Sequence, residues 1–432
     1  MHPIFRCLAL AAATTLAACG GGALSTDEGH LRLVNASGSL GALDLFADND
    51  AVVTGVAPFT ASGYDDLKAD TYSLDVRQSG TPGTLVTVTT TLPKKDHQTV
   101  VAYTSGGTTA ATVLSDEEGD PGSGKAKLRV FHTAAADAGN VDVYLVTGAC
   151  SDLATSAAAP VASNVSGLQN AYTELASSAT AYHVCVTTAG DKSDLRLELP
   201  SLVLGEKRIV TLILARGAGG FLLNAMVVDQ QGAAAQALNT LARARVATSA
   251  SLPVTVDVNG TTIASGLTAP NVGPYVTVPA GAVTVEVNGS PITPAATTPD
   301  SARTAPPGAD ITVLLTGSTP TLNILPDDNT ASVSTAKPVK IRLVNGLNGT
   351  SGTATLTLNN VVVGTGAAPG QASAPTQVAA SAGLARLEAR IGTLQFYFNQ
   401  TATLESGRVY SLFLLGDGTV SSPNTGILVP DR

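Results

Sequence analysis

Four stretches of this chain open alike, about one hundred residues apart. They read His30-Leu-Arg-Leu-Val-Asn-Ala, Lys127-Leu-Arg-Val-Phe-His-Thr, Arg243-Ala-Arg-Val-Ala-Thr-Ser and Lys340-Ile-Arg-Leu-Val-Asn-Gly, so an arginine recurs at 32, 129, 245 and 342. Repetition on that period restricts the fold to an array of similar units, each long enough for its own core. An alternating strand follows each opening: Leu43-Asp-Leu-Phe-Ala, Val141-Asp-Val-Tyr-Leu, Val254-Thr-Val-Asp-Val and Ala354-Thr-Leu-Thr-Leu. Its period of two sends one set of side chains to a core and the other to water. A second matching strand comes later, at Thr71-Tyr-Ser-Leu-Asp-Val, Ala181-Tyr-His-Val-Cys-Val, Ala282-Val-Thr-Val-Glu-Val and Ala385-Arg-Leu-Glu-Ala-Arg. Closing hairpins turn at Ser105-Gly-Gly, Gly217-Ala-Gly-Gly, Gly317-Ser and Asp417-Gly, where glycine supplies the positive φ of a tight reversal. Acidic or polar ends at Leu114-Ser-Asp-Glu, Val228-Asp-Gln, Leu325-Pro-Asp-Asp and Val429-Pro-Asp close the units.

This pattern predicts an all-β chain of four tandem Ig-like antiparallel β-sandwich modules, over residues 30–118, 127–230, 241–328 and 338–432. The pieces between them are Gly119-Asp-Pro-Gly-Ser-Gly, an Ala-rich stretch from Gly232 to Leu241 that suits a short helix, and Asn329 to Lys337. Flexible polar linkers predict few contacts between modules and a fourth module that folds alone.

The N-terminus has a different character. Residues 1–18 hold one basic residue, Arg6, then an apolar run from Leu8 to Leu16 too short to span a bilayer, the layout of a secretory signal peptide. The run ends in Leu16-Ala17-Ala18-Cys19, which resembles a bacterial lipobox and implies cleavage before Cys19 and lipidation of its thiol. Residues 19–29 then form a Gly/Ser-rich tether, flexible enough to hold a domain off a membrane. Gly21, not Asp, follows the position after Cys19, and by resemblance to Gram-negative sorting this points to the outer membrane. Once Arg6 is removed, 23 basic face 33 acidic residues, a formal −10, which argues against nucleic acid as a partner.

The Arg-Leu-Val-Asn opening, and more clearly Arg129-Val-Phe-His-Thr followed by Val141-Asp-Val-Tyr, resembles bacterial surface proteins of the family called domain of unknown function 4397. Repeat three departs from that pattern at Thr248 and Asp257. The resemblance implies tandem strand-rich units and a surface location, and it brings no catalytic residues.

Cys150 and Cys185, the only mature cysteines beyond Cys19, are expected to form a disulfide in an exported protein, tying a solvent-facing strand to a long loop. The alternative is a zinc set of these two with His132 and His183, which lacks the usual ligand spacing. Acids at Asp116-Glu117-Glu118, Asp327-Asp328 and Asp48-Asn49-Asp50 are candidate calcium ligands, read first as solvated ends. Gly119 to Lys125 has the spacing of a phosphate loop but precedes a strand and lacks the hydroxyl at Ala126. The four recurrent arginines are read as outward-facing residues that protect an edge strand, with anion binding as the rival.

No catalytic constellation, cofactor or metal is expected. The leading expectation is a non-catalytic, lipid-anchored cell-envelope protein serving as a structural or adhesive array, its membrane contact the lipid on Cys19, with a surface protein or glycan as candidate ligand. The alternative is a polysaccharide- or polymer-binding protein assisting a secreted enzyme. Absence of Trp and only nine Tyr weaken it, because sugar rings are gripped by aromatics.

Overall fold

A computed structural model describes residues 27–169, 171–330, 336–380, 383–418 and 426–431. In the first repeat nine strands form two facing sheets: β1 (Glu28–Asn35), β2 (Leu43–Ala47), β3 (Asp50–Val56), β4 (Thr60–Ala61), β5 (Asp65–Lys68), β6 (Asp70–Gln78), β7 (Thr84–Leu92), β8 (His97–Ser105) and β9 (Thr108–Ser115). One sheet has the order β3-β2-β6-β7; the other runs β4-β1-β8-β9, with β5 pairing beside β4 on the same edge of β1. Leu31, Leu33, Leu43, Leu45, Leu74, Val76 and Val100 fill the space between them. The three later repeats repeat this order, each around its own core.

All pairs in the sandwich are antiparallel except one. β1 runs parallel to β8, with Arg32 opposite Thr99, and the first strands Lys125–His132, Leu241–Ala250 and Val339–Leu347 do the same with Ile209–Arg216, Asp310–Gly317 and Val409–Gly416. The first strand is therefore central, not an edge: β4 and β5 occupy one side of it and β8 the other.

The repeated motifs acquire distinct jobs. β2 and β3 shift register between Leu43 and Leu45, and the same irregularity recurs at Val141/Val143, Val254/Val256 and Ala354/Leu356. Such a bulge leaves a backbone amide without a ladder partner. The Asp44 carboxylate accepts from the amide of Gly55, whose φ is +74°, at 2.7 Å, and Asp142 accepts from that of Asn164 at 2.7 Å. The asparagine of the opening motif closes one end of the sandwich. Asn35 is fully buried and donates to the carbonyls of Gly41 and Val56, and Asn345 donates to that of Ala367.

Two expectations are corrected. The Ala-rich linker contains a strand, Ala234–Ala237, paired with Leu223–Asp229, because the open edge of that hairpin offers it ladder partners. The repeats are also not separate beads. Val34, Ala36, Val101 and Leu114 of the first pack with Phe131, Ile213, Met226 and Val228 of the second in a shared cluster. Ala247, Leu314 and Leu325 of the third meet Val344, Phe413 and Leu415 of the fourth in another. Between the second and third repeats contact is of another kind, with the Gly219 amide donating to the carbonyl of Gly308 at 2.8 Å. Phe221 there lies between the guanidinium groups of Arg196 and Arg243, at 3.6 and 3.9 Å.

The β1/β8 sheet is thus buried on both faces, and removing its neighbour uncovers a large aromatic and aliphatic patch. Residues 338–432 expressed alone should self-associate in sedimentation and melt below the 240–432 pair, which should be monomeric with one cooperative transition. A monomeric fourth repeat as stable as the pair would refute this.

Candidate functional site

The recurrent arginines sit at these shared faces. In β1 the period of two turns Leu31 and Leu33 inward and Arg32 and Val34 toward the next sandwich. Exposure is only 2% for Arg32, 8% for Arg129, 1% for Arg245 and 4% for Arg342, so both the outward reading and the anion-binding reading are overturned. A buried guanidinium must have its donors met, and here the parallel neighbour meets the first of them. Each Nε donates to the hydroxyl opposite it: Thr99 at 2.7 Å, Thr211 at 3.3 Å, Thr312 at 3.0 Å and Ser411 at 2.8 Å. A tyrosine covers the flat face of three. Tyr64 lies 4.5 Å from Arg32, Tyr172 4.4 Å from Arg129 and Tyr275 4.4 Å from Arg245, a cation–π geometry that suits arginine's weakly hydrated plane.

Between the third and fourth sandwiches the remaining donors cross the junction reciprocally. Arg342 pairs with Asp327 and donates to the carbonyl of Pro326 at 2.9 Å, while Arg245 pairs with Asp431 at 2.5 Å and lies 3.6 Å from Asp327. The acidic ends read in the sequence as solvated tails or calcium ligands are therefore the counter-charges. Asp327 is wholly buried and also accepts from Thr312 at 2.6 Å and Tyr275 at 2.5 Å. Burial acts to raise its carboxyl pKa, but Arg342 and Arg245, with those two hydroxyls, outweigh it and hold the group below its ordinary value. Burial followed by the Asp327 charge pushes the Tyr275 hydroxyl well above its usual range, so it stays a donor.

The junction between the first and second sandwiches is weaker in charge. Gln230 stands where the other repeats have Asp116, Asp327 and Asp431, each opposite the first residue of the neighbouring strand, Ile209 for Gln230 and His97, Asp310 and Val409 for the aspartates. Arg32 pairs with Asp116 of its own sandwich at 3.3 Å and reaches across to the carbonyls of Gly232 and Asp229, at 2.5 and 3.0 Å.

Cys150 and Cys185 are bonded, with their Cα atoms 5.6 Å apart. The expected exposed position is corrected. Cys185 lies on the outer face of its sheet, but the 3-10 turn Cys150–Thr155 folds over it and both cysteines are buried with Tyr144 and Leu153. The disulfide takes both thiolates out of the nominal zinc set, while His183 lies 3.7 Å from Glu198 and His132 bonds the carbonyl of Gly139 at 2.9 Å. Among the described residues no group of three His, Cys, Asp or Glu is placed to hold a metal. Lys125 opens a strand, and the phosphate-loop spacing before it is a linker pinned by Lys127 to the Gly119 carbonyl at 2.8 Å. Cys19 lies outside the described residues.

What the arrangement can do chemically is join sandwiches in a fixed register. Burying charge is costly, and a buried ion pair contributes less to net stability than to rejecting arrangements that strand one partner. The profile of the family described as Domain of unknown function (DUF4397) matches residues 29–144 and 240–351, and the chain belongs to that family. Each match starts at the first strand of one sandwich and continues through the first strand of the next, so it includes both recurrent arginines of a junction. No curated protein matches the chain. Among solved structures the Bacillus anthracis TIE protein is similar at 11% identity over 90% of this chain and 68% of that one, with a TM-score of 0.14, too slight a likeness to carry any inference.

Two outcomes follow from these geometries. Asp327→Asn should cost about 3–5 kcal/mol of unfolding free energy at pH 6, since Arg245 and Arg342 lose a buried counter-charge. A native carboxyl held below its unfolded value stabilises above about pH 4 and loses that contribution as pH falls. The gap between wild type and variant in urea unfolding should therefore shrink toward pH 3. Separately, Cys150→Ser with Cys185→Ser opens a loop of 35 residues' separation, worth roughly 4 kcal/mol on the chain-entropy model, and thermal melting should show that loss in the second sandwich.

Proposed function

We propose that this chain is a non-catalytic, lipid-anchored cell-envelope protein whose sandwiches, coupled in pairs, serve as a structural or adhesive array at the bacterial outer membrane. The observation that supports the reading is the reciprocal pairing of Arg245 with Asp431 and of Arg342 with Asp327 inside a shared apolar face. Recurrent charged residues that an enzyme or anion receptor would expose are spent here on joining one sandwich to the next. Tyr64, Tyr172 and Tyr275 are committed to the same junctions, which leaves fewer of the nine tyrosines for stacking on sugar rings and weighs against the polysaccharide-binding alternative. The anchoring half rests on the signal-like leader and Leu16-Ala-Ala-Cys19.

Palmitate-analogue labelling in a Gram-negative host tests the anchor. Wild type should incorporate label and sediment with outer membrane, and Cys19→Ala should do neither. An unlabelled wild type would sink the lipid anchor. Saturable binding of the soluble mature chain on a glycan array would instead favour the alternative.

A further inference from the structure

The tyrosine that covers the recurrent arginine is present in three sandwiches and replaced in the fourth. Leu31 pairs with Asp65, Leu128 with Thr173, Ala244 with Val276 and Ile341 with Thr376 across the same ladder. The residue just before that partner is Tyr64, Tyr172 or Tyr275 in the first three, and Pro375 in the fourth. Arg342 keeps its hydrogen bonds to Ser411 and Pro326 and its ion pair with Asp327, but among the described residues no aromatic ring lies over its guanidinium. A cavity of about 620 Å³ opens there instead, between the third and fourth sandwiches, and both Arg342 and Pro375 line it. Its volume falls within the range of small-molecule sites.

The chemistry of the missing group defines what fits. At the other three positions a phenol ring stacks on the arginine, and its hydroxyl bonds the closing hairpin: Tyr64 to Asp116, Tyr275 to Asp327 at 2.5 Å, Tyr172 with Thr211 at 3.2 Å. In the fourth sandwich the corresponding hairpin groups, Ser411 and Asp431, are bonded to each other at 2.5 Å and Asp431 is paired with Arg245, so the carboxylates that line the cavity beside Arg342 are Asp310, Asp327 and Asp328 of the third sandwich. The third sandwich lines the cavity with Pro299, Ala302 and Pro306 together with Thr297, Ser301 and Thr304, leaving room beyond a single ring. We propose that this cavity is a binding site for a 4-hydroxyphenyl ring, which takes the place over Arg342 that tyrosine holds over the other three arginines.

The site is independent of the lipid anchor and of the adhesive reading. It can be tested on the soluble mature chain with p-cresol, the side chain of tyrosine without its backbone. Calorimetric titration should give one site per chain with a Kd on the order of 1 mM or tighter, as expected for a ligand of this size. 4-Methylcyclohexanol, which has the hydroxyl and the bulk but no π face, should bind about tenfold more weakly. Pro375→Tyr restores the covering ring from within and should abolish binding, while Pro375→Ala should keep it. Ser301→Trp, at an exposed lining position of the third sandwich, should block binding without altering any residue of the fourth. N-acetyltyrosine methylamide distinguishes the sources of the ring: binding tighter than p-cresol assigns the site to a tyrosyl side chain of a polypeptide, and weaker binding to a free small phenol. No saturable p-cresol binding to the wild-type chain, or binding that both Pro375→Tyr and Ser301→Trp leave unchanged, would overturn the proposal.

Discussion

Everything in this array depends on a sheet that has no solvent side. The strand carrying Arg32 and its parallel neighbour β8 face their own sandwich core with Leu31, Leu33 and Val100, and the adjoining sandwich with Val34 and Val101. An antiparallel sandwich ordinarily leaves one face of each sheet to water. Here the second face carries an apolar cluster, and a polar residue in such a face must bring its own partners. Arginine is suited to this because its planar head satisfies several acceptors in fixed directions and presents a stackable surface. The threonine or serine opposite, the tyrosine above and the aspartate at the end of the last strand are the consequence of placing a guanidinium there.

The two junctions solve this problem differently. Where Asp327 and Asp431 are both present, charges are exchanged across the interface and the pair of sandwiches is mutually specified. With Gln230 in place of an aspartate, the second sandwich returns only carbonyls to Arg32, and Arg129 relies on Thr211 and the ring of Tyr172. Neutral acceptors discriminate less against a wrong partner than an opposed charge does. The apolar cluster, with Phe131 against Tyr103 at 5.3 Å edge to face, carries more of the burden in that junction.

Core faces were legible in the sequence because they rest on local alternation, as in Leu43-Asp-Leu-Phe-Ala, whereas the sheet order and the parallel pairing of β1 with β8 were not, since they join strands far apart in the chain. The disulfide was legible by elimination. Its burial was not, since the turn that covers Cys185 is an insertion particular to the second repeat. The burial of the arginines is hidden by the same alternation. A charged residue between two leucines fits an outward position on an alternating strand, and only the neighbouring strands show that outward is not solvent. That signal was present in Val210-Thr-Leu-Ile-Leu, Ile311-Thr-Val-Leu-Leu and Tyr410-Ser-Leu-Phe-Leu-Leu, whose continuous apolar runs mark strands buried on both faces. Reading those runs together with a recurring acid at the unit's end would have predicted a buried pair.

In a tandem array the residues that repeat describe the scaffold, and the departures are where function has room to enter. Asn35 recurs as Asn345, closing an end of the sandwich, and Asp44 recurs as Asp142, satisfying a bulge, and no ligand could be inferred from them. Three of the departures bear on the junctions or the disulfide: Gln230 for aspartate, the bridged turn at Cys150, and Pro375 for tyrosine. The first loosens the charge coupling of one junction, and the second stiffens a loop outside any junction. Only the third opens space beside a recurrent arginine, the space that the proposed 4-hydroxyphenyl ring would take. The proposed site therefore lies inside the junction where Arg245 and Arg342 exchange charge with Asp431 and Asp327.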